Sequence, residues 1–189
     1  MVKISRKPLV PDDYYSVLFK EQKITIDEYV TNNVEECFNF LVKFSNNKII
    51  YGVNTGLGPM AQYRIDDRDQ ISLQYNLIRS HSAGSGEPLP ADCVKAAMIS
   101  RLKSLSLGYS GVHVDAIKLL QTLLNKNIIP YIPQHGGVGA SGDLVQLSHL
   151  ALNLIGEGDA YYNGEIHKVK DLYKKLGITP LKIRLREGL

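Results

Sequence analysis

The chain has 189 residues, of which 44% are hydrophobic and 22% charged, and this composition is ordinary for a globular protein of one domain or slightly more. Its net charge is +3, and the lysines and arginines are spread along the chain. Binding to nucleic acid or to an anionic membrane depends on a basic patch, so we expect neither partner. The densest basic run, residues 168–175, is interrupted by other residues and is typical of a solvated helix face.

The cysteines give no sign of a metal or redox site. Cys37 and Cys93 are far apart in the chain and match no metal-binding or redox spacing. Both fall in amphipathic patterns, so we expect buried free thiols in a reducing compartment. No segment approaches the roughly 20 apolar residues of a membrane span, and the first fifteen residues lack the apolar stretch of a secretory signal. These features predict a soluble, cytoplasmic protein without a bound metal.

The first half of the chain predicts mainly helices. Thr25 and Glu28 have the spacing of a capping box, and apolar residues then recur at helical intervals to about Phe44. We expect an extended piece over residues 48–53 and a glycine-broken loop over residues 54–59. Three further helices are predicted at about residues 67–80, 90–107 and 114–125.

The second half adds one apolar helix and one hairpin. Asp143 is expected to cap a helix that ends at Gly156. Asn163-Gly164 between two short apolar runs predicts a two-residue β-hairpin, and a short helix (171–176) and an extended tail follow. The sequence therefore predicts a mainly α fold with one or two small β pieces.

The most informative segment contains Ala140, Ser141 and Gly142. Gly142 has no side chain, so its backbone nitrogen can approach the carbonyl carbon of Ala140 more closely than most residues allow. Attack there closes a five-membered ring around Ser141. Loss of one water from the ring and one from the Ser141 side chain leaves a methylidene-imidazolone, which is an electrophile. The following helix directs positive partial charge toward the loop and would stabilise negative charge on the ring oxygen.

By composition alone, a glycine-rich stretch before a helix indicates an ordinary loop or an anion site. The ordered string Ala-Ser-Gly-Asp-Leu (140–144) instead resembles the aromatic amino-acid ammonia-lyases and aminomutases that use a methylidene-imidazolone. One departure is Gln146, where the family usually has Pro or Asn. We expect this difference to affect packing rather than cyclisation.

Residues 51–56 (Tyr-Gly-Val-Asn-Thr-Gly) resemble the catalytic-tyrosine loop of the same family. Read alone, Tyr51 would be a packed aromatic residue. The resemblance implies that Tyr51 is a general base that removes the β-proton of the substrate. It also implies that Leu57, where the family often has Phe, and Leu144 contact the substrate.

Residues 80–84 (Ser-His-Ser-Ala-Gly) resemble the family segment that reads the substrate side chain. The resemblance implies that His81 binds the substrate. An imidazole can form a hydrogen bond with a substrate imidazole or phenol, whereas a phenyl ring offers it no partner. The remaining histidines match no such segment and are expected at the surface or at helix caps: His113, His135, His149 and His167.

The resemblance covers residues 49–189 and implies a fold. We expect residues 1–189 to form one electrophile-bearing domain, the N-terminal part of the fumarase/aspartase-like helical fold, truncated before the central helix bundle. The complete enzyme is implied to be a homotetramer that needs no external cofactor, because the electrophile is made from Ala140, Ser141 and Gly142. This chain by itself is expected to be inactive.

The implied reaction is the non-oxidative loss of ammonia from an aromatic L-amino acid. Histidine would give urocanate, and tyrosine would give p-coumarate. Two alternatives stay open. A 2,3-aminomutase uses the same electrophile and adds the ammonia back, and a truncated, non-catalytic remnant would serve only as a folding or interaction unit.

Overall fold

A computed structural model describes residues 1–46, 48–66, 68–138, 144–185 and 187–188 of the chain. These residues form seven α-helices, one short 3-10 helix and seven strands of two to four residues. Within this part of the chain, no helix is both long and apolar enough to span a bilayer. The architecture is mainly helical, as the sequence predicted.

The helices are, in chain order, α1 (Pro11–Phe19), α2 (Glu28–Ser45), α3 (Gln70–His81), α4 (Ala91–Leu105), α5 (Val114–Asn125), α6 (Leu144–Leu154) and α7 (Val169–Leu176). The strands are β1 (Val2–Ile4), β2 (Ile24–Ile26), β3 (Ser85–Pro88), β4 (Ile129–Pro130), β5 (Pro133–His135), β6 (Asp159–Tyr162) and β7 (Glu165–Lys168). Strands β1 and β2 pair in parallel, β3 pairs antiparallel with β5, and β4, β6 and β7 form an antiparallel sheet in that order.

Several predicted elements are confirmed. Helix α5 has the predicted limits, and Nδ1 of His113 caps it by accepting a hydrogen bond from the Asp115 amide over 3.2 Å. Helix α4 begins directly after Pro90. The hairpin turns at Asn163 and Gly164, whose φ angles of 51° and 82° are the left-handed conformation that a two-residue turn requires.

The predicted start of the first long helix is wrong. Thr25 lies in β2, which pairs with the first strand of the chain. This pairing holds residues 24–26 in an extended conformation, so α2 begins three residues later than Thr25. Asp27 is its cap, and a carboxylate oxygen accepts a hydrogen bond from the Tyr29 amide over 3.2 Å.

The segment predicted as extended, residues 48–53, forms no strand in the structure. Residues 51–54 turn instead, and the amides of Val53 and Asn54 both donate to the Ile50 carbonyl. These local hydrogen bonds take the place of a strand partner. Helix α1 and the short strands β1 to β5 were not predicted, since each is too short to show a clear apolar period.

The core lies between α4 and α5. Each helix contributes one stripe of fully buried side chains to it (Met98, Ile99, Leu102, Ile117 and Leu120), and equally buried side chains from the strands and the other helices complete it. The prediction that both cysteines are buried is wrong for Cys93. The buried stripe of α4 begins at Val94, and Cys93, the residue before it, lies outside the stripe and is exposed, whereas Cys37 is half-buried.

We predict that Leu102→Ala lowers the free energy of unfolding by about 2–5 kcal/mol, because it removes a buried side chain and leaves a cavity. Leu102 is 0% exposed, whereas Leu107, just past the same helix, is 43% exposed. Urea unfolding followed by circular dichroism measures both variants. Leu107→Ala should change the free energy by at most about 0.5 kcal/mol. Equal losses would contradict the assignment of the core.

Candidate active site

A cavity of about 450 Å³ brings together four of the predicted site residues: Tyr51, Leu57, His81 and Leu144. Its walls are otherwise mostly aliphatic and include Leu77, Leu105, Leu120, Leu147 and Ala151. The remaining predicted site residues, Ala140, Ser141 and Gly142, lie outside the described residues. Leu144 follows them by two positions in the sequence and is at the cavity wall.

Helices α3 and α6 pack against each other and line much of this cavity. His81 is the last residue of α3, and Leu144 is the first residue of α6. Leu77 lies one turn before His81, and Leu147 and Ser148 lie one turn after Leu144, so each helix presents one stripe of side chains to the cavity. The loop between α2 and α3 supplies Tyr51 and Leu57.

The loop around Tyr51 is held by two buried polar side chains. Oδ1 of Asn54 accepts a hydrogen bond from the Ile50 amide at 2.8 Å, and Nδ2 donates to the Lys48 carbonyl at 2.7 Å. Oγ1 of Thr55 accepts from the Gly52 amide at 3.3 Å and donates to the Gly56 carbonyl at 2.8 Å. The Asn-Thr pair after Tyr51 therefore shapes the loop, in the way that such side chains favour turns.

Tyr51 lines the cavity and is only partly covered by other residues. Its side chain is 54% exposed, and its hydroxyl oxygen accepts a hydrogen bond from the Gly58 amide at 3.2 Å. A tyrosine hydroxyl in such a position is a group that can exchange a proton with a bound molecule.

His81 has one ring nitrogen fixed by its own helix. Nδ1 lies 2.9 Å from the Leu77 carbonyl oxygen and 3.1 Å from Oγ of Ser80. Because a carbonyl oxygen only accepts, Nδ1 carries the hydrogen in the neutral ring, and Nε2 is the acceptor. His81 therefore offers the cavity a hydrogen-bond acceptor.

His149 joins α6 to the segment that follows α3, so the prediction of a surface or capping role for this residue is wrong. Its Nε2 accepts a hydrogen bond from the Gly84 amide at 3.1 Å. A Cβ at Gly84 would lie 3.0 Å from this nitrogen and 3.1 Å from Cβ of Pro133, so a side chain there would push these neighbours slightly apart. Partial burial lowers the pKa of the His149 imidazole.

Two ionisable side chains also line the cavity. Burial raises the pKa of the Glu187 carboxyl, although its oxygens accept hydrogen bonds from the amides of His113 at 2.8 Å and Arg184 at 2.7 Å. Burial lowers the pKa of the Arg101 guanidinium, which forms no ion pair within the described part of the chain. Among the described residues, no group of three or more His, Cys, Asp or Glu could hold a metal ion.

Gln146 packs on the segment that precedes the tripeptide. A Cβ at Gly137 would lie 2.7 Å from Oε1 of Gln146 and 2.9 Å from its Nε2. This oxygen is buried and accepts no hydrogen bond within the described residues. The side chain thus contacts the neighbouring loop, as its departure from the family pattern suggested, and its effect on cyclisation stays a prediction.

A family described as aromatic amino acid lyase matches residues 9–189 of the chain. The chain belongs to this family. It is 40% identical, over its whole length, to a probable histidine ammonia-lyase of Thermoplasma volcanium, of which it covers 38%. It is 49% identical over 74% of its length to a histidine ammonia-lyase of Deinococcus radiodurans, of which it covers 27%.

The fold leads to the same family. The phenylalanine aminomutase of Pantoea agglomerans superposes on the whole chain with a TM-score of 0.93 at 31% identity, and the chain covers 37% of that structure. The chain therefore has the fold of the N-terminal part of this family and spans about two fifths or less of the length of these relatives.

We predict that His149 makes stability depend on pH. Its pKa is lower in the folded chain than the roughly 6.5 of an unfolded chain, so the folded state binds fewer protons. This contribution is complete above about pH 6.5 and is lost as the pH falls toward the folded pKa. Between pH 7 and 5, the free energy of unfolding should fall more steeply for the wild type than for His149→Gln, whose amide cannot titrate. Parallel curves would contradict this role.

Proposed function

We propose that this chain is the electrophile-bearing part of an ammonia-lyase that converts L-histidine to urocanate and ammonia, with L-tyrosine as the alternative substrate. The observation that carries the proposal is the cavity that collects Tyr51, Leu57, His81 and Leu144. The relatives named histidine ammonia-lyases favour histidine over tyrosine.

Ala140, Ser141 and Gly142 are the proposed source of the electrophile. The glycines before this tripeptide favour a tightly packed loop. Gly136 and Gly137 lack side chains where Val145 and Gln146 pack, since a Cβ at either position would approach these side chains to 3.0 Å and 2.7 Å. When formed, the methylidene-imidazolone would supply an electrophile that activates the substrate, so no external cofactor is proposed.

The side chains of the cavity take three roles. Tyr51 removes the β-proton of the substrate, and the hydrogen bond from the Gly58 amide holds its hydroxyl oxygen in position. Nε2 of His81 accepts a hydrogen bond from the N–H of an imidazole or the O–H of a phenol. Leu57, Leu144 and the aliphatic wall pack on the aromatic ring and exclude water, which strengthens both polar interactions.

We further propose that residues 1–189 act as one domain, to which the remaining length of a family member would be added. Its buried apolar side chains form one continuous cluster from β1 to the segment after α7, which favours a single unit. From the family resemblance, we infer a homotetramer for the complete enzyme.

A 2,3-aminomutase is the second candidate function. The similarity to the solved phenylalanine aminomutase favours it, and the proposed electrophile and base are the same. Incubation of the full-length protein with L-histidine or L-tyrosine, followed by chromatography, separates the two functions. Accumulation of a β-amino acid would support the mutase, whereas an unsaturated acid and ammonia would support the lyase.

We predict that the full-length protein deaminates histidine or tyrosine roughly 5- to 150-fold better than phenylalanine, as judged by kcat/KM. A phenyl ring leaves Nε2 of His81 unpaired, and an unpaired buried polar group costs ~1–3 kcal/mol. In a His81→Phe variant the preference should shift toward phenylalanine. Equal turnover of all three amino acids by the wild type would contradict the role of His81.

We predict that Ser141→Ala abolishes activity, because alanine has no hydroxyl to lose as water. Intact-protein mass spectrometry should show that this variant lacks the loss of two water molecules seen in the active wild type. Tyr51→Phe should keep that mass loss and lower kcat severely, since it removes the base and retains the ring. Substantial lyase activity in Ser141→Ala would overturn the proposed electrophile.

A further inference from the structure

One buried side chain of α3 connects the Tyr51 loop to the end of the chain. Gln74 is 1% exposed. Its Nε2 donates a hydrogen bond to the Gly52 carbonyl at 3.1 Å, and its Oε1 accepts one from the Gly188 amide at 2.9 Å. Both ends of the carboxamide are therefore engaged, each by the backbone of a different segment.

The two backbone segments that Gln74 joins, around Gly188 and around Gly52, are both closely constrained. A Cβ at Gly188 would lie 2.5 Å from the Gln74 carbonyl oxygen and 2.9 Å from its Oε1, so the last segment lies directly on α3. On the other side, Gly52 is the residue after Tyr51 and has a φ of 71°, a conformation that side chains rarely adopt. The carbonyl that Gln74 holds is thus next to the tyrosine in the chain.

We propose that Gln74 is a positioning residue for Tyr51. By holding the Gly52 carbonyl, its amide fixes the backbone from which the tyrosine reaches the cavity. By holding the Gly188 amide, it makes the position of this loop depend on the segment around Glu187, which lines the same cavity. The inference rests on the proposed role of Tyr51 as a base, and it adds a link that keeps the phenolic oxygen in place.

Gln74→Glu tests this link selectively. The variant keeps an oxygen acceptor for the Gly188 amide but places a second oxygen against the Gly52 carbonyl. Gln74→Met removes both hydrogen bonds without adding a charge, and serves if the glutamate variant does not fold.

Asn153→Asp is the matched control. Asn153 is also 1% exposed, and its Nδ2 donates to the carbonyls of Glu157 at 3.3 Å and Asp159 at 3.2 Å, outside the cavity lining. The two acidic substitutions disturb the same kind of buried hydrogen bond, so a general loss of stability should appear in both variants.

The first measurement is hydrogen–deuterium exchange of the full-length protein, which does not depend on activity. Loss of the hydrogen bond to Gly52 should speed exchange in residues 50–58 by about tenfold in Gln74→Glu. Asn153→Asp should leave the exchange of these residues as in the wild type. Unchanged exchange in both Gln74 variants, or an equal increase in the control, would overturn the proposal.

The second measurement is the steady-state kinetics of the same proteins with histidine. In the Gln74 variants kcat should fall by about tenfold or more while KM changes less, because Tyr51 is misplaced whereas His81 and Leu144, which lie on helices, still bind the substrate. A β-deuterated substrate should show a larger isotope effect in these variants than in the wild type. If the wild type is active and the Gln74 variants keep its kcat, the positioning role is wrong. A wild type that is inactive with both histidine and tyrosine but shows the predicted exchange would instead contradict the proposed function and support the link to the Tyr51 loop.

Discussion

The close approach of α6 to the segment that follows α3 is the constraint on which the cavity depends. Gly84 favours it, because a Cβ there would lie only 3.0–3.2 Å from His149, Pro133 and the His135 carbonyl, so that these neighbours would have to move apart slightly. The hydrogen bond from the Gly84 amide to His149 then fixes the distance. His81 lies at the end of α3 and Leu144 at the start of α6, so the same contact brings both residues to one cavity. A separation of these elements would open the cavity between His81 and the start of α6.

The parts of the fold that the sequence predicted are those determined locally. The limits of α5 follow from an apolar period with a capping histidine before it, and the hairpin follows from Asn163-Gly164. The start of α2 could not be predicted in this way. Thr25 and Glu28 have the spacing of a cap, but β1, more than twenty residues earlier in the chain, pairs with Thr25 and moves the cap to Asp27. The long-range pairing of β1 with β2 therefore determined where α2 begins, against the local capping pattern.

The candidate site shows the same division. Tyr51 and His81 were found through motifs, since their chemistry is carried by residue type and order. Gln74 and the buried roles of Asn54 and Thr55 were not, because a glutamine on a helix or an asparagine in a loop has no pattern that separates a buried bridge from a surface residue. For Gln74, the one available signal was its place four residues before Ile78, on the buried stripe of α3.

The loop that carries Tyr51 is held by the neutral side chains of Asn54, Thr55 and Gln74, and this has a chemical consequence. A buried amide satisfies two backbone groups at a lower desolvation cost than a buried charge. Gln74 and Asn54 use both ends of their amides in this way. Tyr51 and His81 therefore do not have to use all their hydrogen-bonding groups to hold the backbone. In the described part of the chain, the Tyr51 oxygen accepts one hydrogen bond and keeps its other lone pair free, while His81 uses Nδ1 and keeps Nε2 free. Each of the two groups proposed to act on the substrate thus retains one hydrogen-bonding site for it.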